Sequence, residues 1–238
     1  MCCSVRGHTV VRMVRLAELQ AQVAAGYDRL GMPSWPNPHP GMTQPRDEEY
    51  SRLTDPERYR IVHARARVWA ETLGDLPGVE VEALAPASPD DEGDARRYDR
   101  GVRLVSPLPD RLPLLLLEHD GRWPGLERSP AVLHISVVRP EIGLAMVPDC
   151  GCDACDLGSD DLLDVIDETI GHVVDGPFVA VLGNGWHAQW YPDGGSSSRT
   201  GRGPDHAQLL ELCRRLARGE DVRLPRDAEA LVGRPWLT

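Results

Sequence analysis

Three of the chain's six cysteines fall within Cys150-Gly151-Cys152-Asp153-Ala154-Cys155, with Asp149 before them and Asp156 after. Cys152 and Cys155 form a C-x-x-C unit, the spacing at which a tight turn presents two sulfurs to one tetrahedral ion. Gly151 permits a positive φ that would swing the Cys150 and Cys152 thiolates to one side. Three soft ligands on one bend suit Zn²⁺, with a fourth ligand from elsewhere or a water. The same spacing also serves thiol redox sites, but those lower a thiol's pKa with positive charge or a helix N-terminus. Asp149, Asp153 and Asp156 do the reverse, since like charge raises a thiol's pKa while an acidic surround attracts a cation. Metal binding by Cys150, Cys152 and Cys155 is therefore the favoured reading, against buried inert thiols or a disulfide.

The fourth ligand stays open between Asp149, Asp156 and His187. Cys213 reads as a core residue, because Leu209, Leu212, Cys213 and Leu216 share one helical face. Cys2 and Cys3 lie in a basic N-terminal stretch without the apolar region of a secretory signal.

The elements that must position this turn are legible on either side of it. Five short apolar runs, 79–83, 101–105, 112–118, 131–138 and 142–147, are separated by turn residues and read as antiparallel strands. Asp120-Gly121 marks a hairpin between two of them, and 86–100 reads as a mobile acidic loop. The last run delivers the chain into the cysteines. Beyond the turn, Ser159 reads as an N-cap, Asp160 and Asp161 suit the helix dipole, and Leu162, Leu163, Ile166, Ile170 and Val173 make a buried stripe.

Upstream, Leu16, Leu19, Val23 and Tyr27 predict a helix closed by Gly31, followed by a proline-rich strap at 32–40. Thr54-Asp55-Pro56-Glu57 reads as a capping box opening a helix with Tyr59, Val62, Ala66, Trp69 and Leu73 inward. Arg58, Arg60, Arg65 and Arg67 fall off that stripe and read as solvated, as do Asp161, Asp164 and Glu168, which share a face of the later helix; Asp167 also falls off that helix's apolar stripe.

Downstream, 178–182 and 186–191 form a hairpin about Asn184-Gly185. Its alternation turns Trp186, Ala188 and Trp190 inward and offers His187, Gln189 and Tyr191 as a polar binding surface. Residues 193–203 read as a mobile Gly/Ser loop before a helix capped by Asp205, 226–232 as a helical turn or two, and Trp236-Leu237 as an apolar hook into the core.

The fold class that follows is α+β, a largely antiparallel sheet of about five to seven strands packed with three to four helices. Residues 1–14 read as a disordered extension, with Met13 an alternative start, 15–49 as helix and strap, and 50–238 as a single α+β domain. A net charge of −11 over 238 residues argues against nucleic acid as a partner. No apolar run spans a bilayer. Without export the cysteines are expected reduced, in the cytoplasm. All basic residues are arginine, which fits GC-rich codon usage rather than a phosphate-binding design.

Around Pro148–Asp156, Gly158–Leu163, Tyr50–Ala70 and the closing 232–237, the chain resembles a bacterial family of unknown function. The resemblance implies a shared fold over roughly 50–238 and brings no activity. Two functions remain. One is a binding or regulatory module, immunity-like and acting on another protein, with a structural metal at the turn. The other is a zinc-dependent hydrolase whose open coordination site activates water, with His187 or a nearby Asp as base. The lack of a nucleophile–base pair leans away from an enzyme.

Overall fold

The cysteine turn sits where a five-stranded sheet hands the chain to a long amphipathic helix. The computed structural model describes residues 14–87, 97–120, 129–200 and 203–237. The first sheet takes its strands in chain order: β1 (Glu80–Leu84), β2 (Arg100–Val105), β3 (Leu114–His119), β4 (Val132–Val137) and β5 (Gly143–Val147), every pair antiparallel. β3 and β4 are buried on both faces: Leu114–Leu117 is apolar throughout, as an alternation-free leucine run requires, while β4 sets Leu133, Ile135 and Val137 on one face and Val132, His134 and Ser136 on the other. The Gly121 half of the expected β3–β4 turn and most of the acidic 86–100 loop lie outside the described residues.

Helices α1 (Leu16–Asp28), α2 (Ile61–Gly74) and α3 (Ser159–Asp175) pack together, and α2 and α3 lie against this sheet. Leu19 and Val23 of α1, Val62, Ala66, Trp69 and Leu73 of α2, and Ile166, Ile170 and Val173 of α3 are the buried stripes that periodicity predicts.

The second sheet is a separate one, where the sequence reads as a single sheet. Its order is β8-β7-β6-β9, from β6 (Phe178–Gly183), β7 (Trp186–Tyr191), β8 (Gly194–Arg199) and β9 (Glu229–Gly233), again all antiparallel. β8 corrects the reading of 193–203 as a loop: Gly194 and Gly195 lie opposite Tyr191 and Trp190, and a Cβ on Gly195 would fall 2.5 Å from the Gln189 carbonyl oxygen. β9 corrects the helical reading of 226–232, because it supplies the partner that the other edge of β6 needs.

Helix α4 (His206–Ala217) covers this sheet, capped by Asp205, which accepts from the Gln208 N–H at 2.8 Å. Alternation along β6 divides its side chains between two cores. Phe178 and Ala180 join the main one, while Val179 and Val181 pack with Trp186, Leu209 and Cys213 under α4. Trp236 returns to the main core, as read.

Candidate metal centre

β5 leads through a cis Val147–Pro148 peptide into the turn, which closes as one 3-10 turn over Asp153–Cys155 and leaves through Gly158, at φ +97°. Gly151 is needed for a different reason from the one its position predicts. Its φ is not positive, but a Cβ there would stand 2.8 Å from Cγ of Pro130, so glycine provides room rather than a left-handed bend.

Two acids of the turn, Asp153 and Asp156, face the protein, while Asp149 is exposed. Asp153 accepts from Arg52 Nε at 2.5 Å and from both the backbone N–H and the hydroxyl of Thr54 at 2.7 Å. Burial would raise its carboxyl pKa, but these donors outweigh burial and hold it below the usual range. Thr54 thus serves Asp153 instead of capping the next helix, which starts as a 3-10 turn at Pro56 before α2.

Asp156 accepts from the Trp35 indole N–H at 3.0 Å, from Arg58, and from the Gly158 N–H at 2.8 Å. The Arg58 guanidinium also lies over the rings of Trp35 and Tyr59. These bonds remove Asp156 from the fourth-ligand candidates and leave Asp149 as the turn acid whose charge acts on the Cys150 thiol.

With Asp153 and Asp156 drawn inward, the three thiols converge. The Sγ atoms of Cys150 and Cys152 are 3.3 Å apart, and all three sulfurs lie within 4.8 Å of one another. Zinc–sulfur bonds of about 2.3 Å in tetrahedral array place sulfurs about 3.8 Å apart, so the turn holds them at chelating separation without a disulfide. Cys150 and Cys152 are half-buried and Cys155 is exposed.

The shared protons polarise the set. Its hydrogen bond to Cys152, then burial and Cys150, push Cys155 up to about 12. Burial alone would raise Cys150, but hydrogen bonds from Cys152 and Cys155 bring it below a free thiol. Among the described residues, this trio is the group of His, Cys, Asp and Glu side chains able to hold an ion. Cys213 is fully buried on the inner face of α4, as its helical face predicts, and burial pushes its thiol up to about 11.

The structure brings His187 and Gln189 to one cleft of about 320 Å³ between the β4–β5 turn and the β6–β7 hairpin. Gln189 donates from Nε2 to the Gly143 carbonyl at 3.1 Å, tying the two sheets together. Tyr191 does not line that cleft; it stacks on His172 of α3, ring centroids 3.5 Å apart.

A second polar group has no precedent in the sequence reading. His63 gives its Nε2–H to the Val132 carbonyl at 2.8 Å, and Glu118 takes paired bonds from Arg67 and a further one from Arg100, beside an apolar cleft of about 540 Å³. The available signal was Glu118-His119-Asp120, an abrupt run of charge ending a buried strand.

Fold and turn together define an α+β domain carrying a three-cysteine bend able to coordinate a metal ion. The chain belongs to the family of unknown function DUF6226, which matches residues 23–238. No curated protein and no solved structure matches it. Among the described residues no helix is long and apolar enough to cross a membrane.

Proposed function

We propose that the chain is a cytoplasmic binding or regulatory module whose Cys150, Cys152 and Cys155 hold Zn²⁺ as a structural ion. One observation carries this reading: three sulfurs converge within 4.8 Å on a turn whose buried acids are already bonded to Arg52, Thr54, Arg58 and Trp35. Carboxylates so engaged do not serve as a base for a zinc-bound water. Three thiolates also place much negative charge on the ion, which weakens it as a Lewis acid and suits a structural role. The cleft bearing His187 and Gln189, with Tyr191 beyond it, is the surface we assign to a protein partner or small ligand.

The zinc-dependent hydrolase is the second reading, and exposed Cys155 favours it by leaving one side of the ion open. Metal analysis of tag-free protein separates the two. Stoichiometric zinc, lost in Cys152→Ser together with thermal stability, supports the module. Zinc lost while stability is kept turns the reading to catalysis.

A further inference from the structure

We infer that His39, in the proline-rich strap, is the fourth ligand that closes the site as Cys₃His; the inference rests on the metal reading of the turn. The strap is laid against the cysteine bend by a continuous set of bonds. The Ser159 N–H donates to the Trp35 carbonyl at 3.0 Å, and the Trp35 N–H to the Ser159 hydroxyl at 3.2 Å. The Trp35 indole holds Asp156, the residue after Cys155. Asn37 then accepts the His39 backbone N–H at 2.7 Å, fixing where that side chain starts.

From there the imidazole reaches the turn itself. Nε2 of His39 lies 3.2 Å from the carbonyl oxygen of Asp153, which stands between Cys152 and Cys155. A carbonyl oxygen can only accept, so Nε2 carries a proton, and in the neutral ring Nδ1 is then the nitrogen with the lone pair. A metal-bound histidine ordinarily has this arrangement, one nitrogen on the ion and the other N–H on a backbone carbonyl. The ring nitrogens lie outside the sphere of 4.8 Å that the sulfurs share, so closing the site needs the half-buried ring to turn toward them. The other neighbours are less suited. Asp153 and Asp156 are consumed, and exposed Asp149 offers a hard oxygen to a thiolate-bound ion.

The test is Co²⁺ titration of reduced, metal-free full-length protein, followed by Zn²⁺ displacement, for wild type, His39→Ala, His39→Cys and Asp149→Asn. The visible d–d bands of bound cobalt report its ligand set. His39→Ala is expected to weaken binding by on the order of 100-fold, at least the loss seen for a supporting group, and to move the bands. His39→Cys is expected to restore tight binding with bands displaced toward four thiolates, and Asp149→Asn to leave wild-type affinity and bands. The inference is overturned if His39→Ala keeps wild-type affinity and bands, or if Asp149→Asn causes the loss instead. Should His39→Ala disturb the strap by circular dichroism, His39→Cys decides alone, unchanged bands overturning the assignment. Wild-type protein that takes up no cobalt sinks the metal reading itself, whereas cobalt bound with His39 irrelevant sinks only this ligand.

Discussion

At the scale of single residues, carboxylates lock the helices and the cysteine turn in place. Asp167 of α3 accepts a pair of bonds from Nε and Nη2 of Arg65 and one from the Trp69 indole at 2.7 Å, and the Arg65 side chain is only 8% exposed. Asp167→Ala would strand a buried cation, so the expected loss is about 3–5 kcal/mol of stability in urea unfolding. Asp153→Ala leaves the Thr54 N–H and hydroxyl without their acceptor and should cost about 2–3 kcal/mol, measured the same way. Neither role was legible. Helical spacing places Arg65 and Asp167 off the apolar stripes, where solvation is the default, and their partnership joins residues 102 apart in sequence. The cysteines were legible because their spacing is local. His39 was not, since only the folded strap carries it to them.

At the scale of elements, α2, α3, α4 and the first seven strands follow from periodicity and turn residues, and all but β1, exposed over its first four residues, bury side chains that their own sequence marks. β8 and β9 do not. Gly194-Gly195-Ser196-Ser197-Ser198 has no strand propensity of its own and is recruited by the edge of β7, while β9 is recruited by β6. The strap likewise depends on a neighbour. A Cβ on Gly158 would stand 2.7 Å from the Asn37 backbone nitrogen and 2.9 Å from the Pro36 carbonyl carbon, at a φ of +97° that only glycine adopts readily. Gly158→Ala should therefore lose about 1–3 kcal/mol and lift the strap. Faster acrylamide quenching of Trp35, compared against a Trp35→Phe control, is the measurement that shows it.

At the scale of the whole molecule, acid should weaken the fold in two stages. Burial, resisted by the Val132 carbonyl and Glu118, holds His63 below its ordinary 6.5. The unfolded chain therefore takes that proton first, and the stability present above pH 6.5 drains as pH falls through the lower folded value. Burial would raise Glu118, but Arg67, His63 and Arg100 outweigh it, so its contribution is lost below the ordinary 4.5. Urea midpoints at stepped pH should fall in that order, and His63→Gln, which keeps a donor for Val132, should flatten the first stage. Zinc acts on the same balance: at about 100 times its Kd it should add about 2.7 kcal/mol to wild type and nothing to Cys152→Ser. The division of β6 between two cores has a consequence for biosynthesis. One margin of that strand stays unsatisfied until residues 229–233 reach it, and the main core lacks Trp236 until slightly later. A nascent chain halted before this point carries a half-clothed sheet, and it is there that chaperones would find it.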